Sequence, residues 1–545
     1  MLGLMQDQPL LLSTIPVHAA RNHPDAEIVS HTVEGGLHRY TWSDAEKRIN
    51  RLANALRSLN VETGDRIATL AWNGYRHLEL YFAVPGIGAV CHTINPRLFP
   101  QQIAYIINHA QDRFIFTDLT FVPLLEALAD HLGQVEGVVV MTDAAHMPET
   151  PLSEKMKVIC YEDLMADQPE TIDWPQFDEN TASSMCYTSG TTGNPKGVLY
   201  SHRSTILHSM AGNQSDLFGA SATDCLLPVV PMFHANAWGL IYIIPMVGAK
   251  LVLPGMGMDG ETLQRLMTEE GVTISAGVPT IWLGLLQYLK ESGKRLDCVQ
   301  RFVIGGSACP RLIIEEFDRD YGIRVDHAWG MTETSPLGSY NSPKADWADL
   351  SKDETYDRQL SQGRGLYGVE MKIVDDDGAE LPWDGEAFGA LLVRGPWIVR
   401  EYFNSEDGPV VDEEGWFNTG DVANITPDGY MRIVDRTKDV IKSGGEWISS
   451  IELENIAVGH PAIVEAAVIA CAHPKWDERP LLICVAAEGA AVNREDMLAH
   501  FEGKIAKWWM PDDVVFVDEL PHTATGKLLK TELRDKYADY KLPTA

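Results

Sequence analysis

The sequence predicts a mixed α/β (α+β) chain: layered βα sheets with helices outside them, followed by a mainly β subdomain. Three observations carry that expectation. The 545 residues exceed what one hydrophobic core usually holds, so two or more domains are expected. The first part alternates helix and strand signals, the mark of layered sheets. From Ser361 to Tyr430 the texture changes to strand-like runs separated by Gly/Asp/Pro turns.

Taken in order, Ser43 and Glu46 offer a capping box before the apolar series Ala45, Ile49, Leu52, Ala53, Leu56 at helical spacing. Gly64-Asp65 is a turn, and Arg66–Leu70 reads as a strand. Residues 101–109 read as a short helix, and Phe114–Thr117 and Val138–Met141 as strands. The stretch from Cys225 to Ala249 has no Asp, Glu, Lys or Arg and is long enough to span a bilayer. Its Pro228, Pro231, Pro245, His234 and Asn236 instead predict a buried strand, a loop and a buried helix. Within the β region, Glu370–Val374 and Ala390–Val393 are strand-like. Beyond Asp435–Lys438 a final stretch carries its own signals, a helix at 452–458 and a strand at 466–470.

Hydrophobic content of 45% with 22% charged residues describes an ordinary globular protein. The net charge of −33 argues against nucleic acid and against anionic membrane surfaces, both of which need a basic footprint. An anionic substrate must then be met by local positive charge. The eight cysteines are scattered with no metal spacing and read as reduced thiols of a cytoplasmic protein. The N-terminus lacks the basic start and apolar run of a signal peptide.

The most informative stretch is Tyr187-Thr-Ser-Gly-Thr-Thr-Gly-Asn-Pro-Lys-Gly-Val198. Hydroxyls (Thr188, Ser189, Thr191, Thr192), glycines (Gly190, Gly193, Gly197) and a cation (Lys196) in one short loop suit a polyphosphate. The spacing of a Walker loop is absent. In His327-Ala-Trp-Gly-Met-Thr-Glu-Thr334, a carboxylate beside hydroxyls offers Mg²⁺ an oxygen ligand at Glu333. Asp421 in Asn418-Thr-Gly-Asp421 is suited to accept both ribose hydroxyls. Other positions are ambiguous alone. Gly305-Gly-Ser-Ala308 is a turn, Trp329 reads equally as core, His234 as a satisfied core histidine, and Lys527 in Thr523-Ala-Thr-Gly-Lys527 as a surface lysine.

Together these motifs resemble the adenylate-forming enzymes, the acyl-CoA synthetases, luciferases and peptide-synthetase adenylation domains, over nearly the whole chain. The resemblance implies a large N-terminal adenylation domain over 1–435 and a small mobile C-terminal domain over 436–545, hinged at Lys438. It implies that the 187–198 loop grips the β- and γ-phosphates, that Glu333 and Thr188 hold Mg²⁺, and that Thr332 touches phosphate. Gly306, Ser307, Ala308, Trp329, Gly330 and Met331 would line the nucleotide, with Asp421 and Arg436 on the ribose. Lys527 would contact the attacking carboxylate and the α-phosphate, an electrostatic role. His234 would gate the two half-reactions. His234, Trp238, Gly239, Gly305, Gly306, Trp329, Gly330 and Pro336 would line the acyl pocket. Gly444, Gly445 and Trp447 would admit the pantetheine arm of CoA, with Arg479, Lys475 and Lys504 as candidates for its 3′-phosphate.

The expected reaction is carboxylate + ATP + CoA giving acyl-CoA, AMP and pyrophosphate through an acyl-adenylate, with Mg²⁺ as cofactor. The text around Pro231–Trp238 and His327–Pro336 resembles the medium-chain acyl-CoA ligases, and among them those acting on 3-methylmercaptopropionate in marine bacterial dimethylsulfoniopropionate breakdown. The substrate expected is therefore that thioether acid or a short- or medium-chain fatty acid. A luciferase would share every motif, and the alternative is a stand-alone adenylating enzyme with another acceptor, luciferase-like or a carrier-protein ligase. A cytoplasmic homodimer, without membrane span or nucleic acid, completes the expectation.

Overall fold

The computed structural model describes residues 1, 3–188, 194–444, 446–487, 489–522 and 528–545, with the side chains of Glu446 and Trp447 left out. Four sheets organise the chain. A seven-stranded sheet runs in the spatial order Lys157–Cys160, Gly137–Val140, Asp112–Thr117, Arg66–Leu70, Val90–Thr93, Ala182–Thr188 and Lys196–Ser201. Its strands are parallel except the last, which returns antiparallel beside Ala182–Thr188. A nine-stranded sheet is parallel from Arg324–Gly330 through Arg301–Ile304, Ile274–Gly277, Cys225–Pro228 and Lys250–Leu253 to Glu27–His31, with antiparallel strands at its edges. The α/β expectation holds.

The helices cover both faces of these sheets because their apolar residues recur at helical spacing. Trp42–Ser58 buries Ala45, Ile49, Leu52, Ala53 and Leu56 as the sequence predicts. Its cap differs. Thr41, two residues earlier than Ser43, accepts the Asp44 N–H (3.3 Å), and Asp44 closes the box, because the chain leaves the preceding strand at Thr41. Cys225–Pro228 is a buried strand and Leu240–Val247 a buried helix, as expected. Among the described residues no helix is long and apolar enough to cross a membrane.

The β region is a four-stranded antiparallel sheet of Glu370–Val374, Gly389–Arg394, Phe417–Ile425 and Met431–Arg436. Past it, Ile441–Ser443 begins a separate five-stranded sheet in which Asp477–Ala486 is the central strand, paired along its length with Ile463–His473, and the helix Ser450–Val458 packs on it. All eight cysteines are free thiols, and all but Cys298 are buried.

Candidate functional site

In a parallel sheet every strand delivers its following loop to the same edge, and ligands collect there. Cys225–Pro228, Ile274–Gly277, Arg301–Ile304 and Arg324–Gly330 are adjacent in the nine-stranded sheet. Their carboxyl ends lead into the His234 segment, Val278–Pro279, Gly305–Ala308 and Met331–Glu333. These line one cavity of about 1970 Å³. Thr188 and Lys196, at the mouth of the phosphate-loop hairpin, reach the same cavity, as do Asn418–Gly420, Arg436 and Lys438 from the β sheet and the turn after it. Motifs more than 200 positions apart in sequence thus meet at one wall.

The nucleotide candidates form a connected cluster. The indole N–H of Trp329 donates to Asp421 Oδ2 at 2.9 Å, and Arg436 Nε lies 2.9 Å from Asp421 Oδ1. Arg436 also donates to the Thr419 carbonyl (3.2 Å). Asp421 and Arg436 are register partners on adjacent strands, which sets this geometry. Asp421 lies inside the strand Phe417–Ile425, directly after a local kink where Gly420 has a φ of +73° and donates to Asn418 Oδ1 at 2.9 Å. Trp329 is buried, as the core reading has it, while its polar edge serves the carboxylate and its ring lines the cavity.

Glu333 is 5% exposed and faces the cavity from the short turn Thr332–Thr334. The Tyr402 hydroxyl donates to Glu333 Oε1 at 2.8 Å. Burial, then the Glu333 charge, hold the Tyr402 phenol well above its ordinary value, so it stays a neutral donor. The Tyr200 hydroxyl donates to the Thr332 carbonyl (2.7 Å), fixing the same turn to the phosphate-loop hairpin. Sequence reasoning missed Tyr402, whose only signal was a Tyr-Phe pair in a loop. It also missed Arg97, which lines the cavity between the Trp72 and Phe233 rings, 5.8 and 5.9 Å from their centroids.

The acyl candidates surround a constricted wall. A Cβ on Gly305 would meet the Trp238 ring at 3.0 Å and the Ala328 carbonyl at 2.9 Å, so glycine lets the indole lie against the strand end. His234, Trp238, Gly305, Gly306, Trp329, Gly330 and Pro336 all line the cavity. Gly239 does not. Its φ is +80° and a Cβ there would strike the His208 ring at 2.8 Å, so it faces the helix His202–Gly212 and not the acyl space. Ala235, Asn236, Ala237 and Trp238 all have left-handed φ, between 43° and 58°. This costly backbone is pinned by Asn236, which donates to Ser184 Oγ at 3.2 Å.

Several calls lie elsewhere. Ser189, Gly190, Thr191, Thr192, Gly445 and Lys527 fall outside the described residues, as does the Trp447 side chain. Lys438 lines the cavity. Gly444 donates to the Trp476 carbonyl at 2.8 Å, on the C-terminal sheet. Arg479 is occupied internally: it pairs with Asp512 at 2.6 Å and donates to the Trp508 and Met510 carbonyls, which makes it a brace of that sheet.

These loops, arranged round one cavity at the carboxyl edge of a parallel sheet, define a nucleotide-binding enzyme of the adenylating type, and the chain belongs to the AMP-binding enzyme family, whose model matches residues 17–403. The family's C-terminal domain matches residues 452–527. Among curated proteins, the chain is 54% identical to the 3-methylmercaptopropionyl-CoA ligase of Ruegeria lacuscaerulensis, over 99% of each chain. It is 51% identical to the medium-chain-fatty-acid–CoA ligase of Ectopseudomonas oleovorans, over 99% of this chain and 98% of that one. Among solved structures, the anthranilate CoA ligase AuaEII in complex with anthranoyl-AMP superposes with a TM-score of 0.86 at 26% identity, covering 98% of this chain and 100% of that one.

Proposed function

We propose that this AMP-forming acid–thiol ligase activates 3-methylmercaptopropionate, or a fatty acid of similar length, as its CoA thioester. The observation that carries the reading is that Trp329 and Arg436, which hold Asp421, line one cavity with Glu333 and an acyl wall narrowed by two tryptophans. The 54% identity to a ligase for the thioether acid supports that acid, and the 51% identity to a medium-chain-fatty-acid ligase supports the fatty acid.

In the first half-reaction the acid's carboxylate attacks the α-phosphorus of ATP, giving acyl-AMP and pyrophosphate. Asp421, aimed by the Trp329 indole and Arg436, holds the ribose. Lys196 and the hydroxyls of the phosphate loop hold the departing phosphates, and Lys527 offsets charge gathering at the α-phosphorus. Glu333 and Thr188 are suited to Mg²⁺: a buried carboxylate and a hydroxyl open on the same cavity as Lys196. Bound there, Mg²⁺ would neutralise phosphate charge. In the second half-reaction the CoA thiolate attacks the acyl carbon and AMP leaves. His234 stands between the acyl wall and the CoA approach as a gate, and a rotation of the C-terminal domain about Lys438 exchanges Lys527 for the 444–447 turn.

Pyrophosphate release tests this reading with CoA and a panel of acids from propionate to octanoate plus 3-methylmercaptopropionate. The thioether acid is expected to give the highest kcat/KM. No preference for it over butyrate would overturn the substrate assignment.

A further inference from the structure

The connection between the strands Gly389–Arg394 and Phe417–Ile425 belongs to none of the motifs, yet it touches two of them. Its Val399 N–H donates to the Glu333 carbonyl at 2.8 Å, and its Phe403 N–H donates to the Gly197 carbonyl at 2.8 Å. One short segment of backbone is therefore fastened at one end to the acidic turn and at the other to the returning arm of the phosphate-loop hairpin. Tyr402 stands between those two fastenings. Its hydroxyl reaches Glu333 Oε1 at 2.8 Å, and the Lys196 ammonium lies 5.0 Å from its ring centroid. All three side chains line the cavity.

We infer that Tyr402 is a positioning residue for the metal-bearing end of ATP, fixing the Glu333 carboxylate with its hydroxyl and the Lys196 ammonium with its ring. The inference rests on the assignment of Glu333 to the metal given above. The physical grounds are direct. A carboxylate at a ligand site gains from a donor that restricts it to one orientation before the ligand arrives, as the groups behind metal-bound side chains do. A lysine ammonium held over an aromatic face keeps its charge while losing part of its rotational freedom. Both effects act on the triphosphate and its cation. Neither reaches the adenosine cluster of Trp329, Asp421 and Arg436. Tyr402 should therefore separate the two ends of the nucleotide.

The test is isothermal titration of the full-length enzyme, without acid or CoA, with three ligands: ATP with Mg²⁺, ATP in EDTA, and AMP. Tyr402→Phe removes the hydroxyl and keeps the ring. It is expected to weaken binding of ATP with Mg²⁺ by about 10-fold, the scale of a lost hydrogen bond to a charged group, and to leave AMP and ATP in EDTA unchanged within about twofold. Tyr402→Ala also removes the ring. It should weaken ATP in EDTA as well, because Lys196 acts on phosphate rather than on the metal. Glu333→Gln separates the two levels of the argument. If it leaves the preference for ATP with Mg²⁺ over ATP in EDTA intact, the assignment of Glu333 to the metal falls and this inference with it. If Glu333→Gln abolishes that preference and Tyr402→Phe retains it, the role of Tyr402 alone is overturned. Equal weakening of AMP and ATP by Tyr402→Phe, with a lowered melting temperature, would assign Tyr402 to the fold only.

Discussion

At the scale of single residues, the site depends on polar edges of otherwise buried groups. Trp329 illustrates it: the ring packs in the core and only its N–H reaches Asp421. A hydrogen bond to a charged group contributes about 1.5–3 kcal/mol, so Trp329→Phe is expected to raise the KM for ATP roughly 10-fold by removing the indole N–H that aims Asp421. Initial rates at saturating acid and CoA measure it, and an unchanged KM would mean that Arg436 suffices to aim Asp421. The sequence exposed Asp421, Arg436 and Trp329 as separate candidates. It could not show that they touch, because 92 positions separate Trp329 from Asp421 and the two lie in different sheets, joined by a side-chain hydrogen bond. Tyr402 was illegible for a related reason. Nothing in Arg400-Glu-Tyr-Phe403 marks a site until the fold lays it across Glu333 and Gly197.

At the scale of elements, the segment from His234 to Gly239 joins the helix His202–Gly212 to the acyl wall. His208 on that helix is fully buried, its Nε2 accepts the Leu337 N–H at 3.1 Å, and burial lowers its pKa to about 3. A histidine depressed below its unfolded value of 6.5 favours folding at neutral pH, and that contribution fades as pH falls from 6.5 toward 3. His208→Gln, which keeps an acceptor for Leu337, should therefore lose less stability than the parent between pH 6.5 and 4.5, by about 2 kcal/mol. Denaturant unfolding at the two pH values measures the difference, and parallel losses would show that His208 does not carry the effect. The elements themselves were largely readable. Strands such as Arg66–Leu70 and Gly389–Arg394 announce themselves by burial alternation or continuous apolar runs. The left-handed turn at Ala235–Trp238 did not, since none of those residues is glycine and its fastening through Asn236 to Ser184 is a tertiary contact.

At the scale of the whole molecule, the two half-reactions proposed above make different demands on one cavity, and the role proposed for Lys527 belongs to the first. Lys527→Ala is expected to suppress adenylate formation by roughly 10²-fold, the scale of a lost electrostatic donor, and to affect thioester formation from supplied acyl-adenylate much less. Single-turnover assays of each half-reaction measure the ratio, and equal losses would remove Lys527 from the chemistry. The sequence by itself determined the class of protein, because the phosphate loop, the Glu333 turn and the Asp421 motif are local strings whose residue types must match the groups they grip. It also determined the layered α/β organisation, since periodicity is a local property. The tertiary structure decided which candidates share a wall, that Gly239 turns away from the acyl space, that Arg479 braces its own sheet, and that Tyr402 links two motifs. The reason is physical. Parallel strands collect loops at their carboxyl edge in the order of sheet pairing rather than of sequence, so proximity at the site is a property of topology.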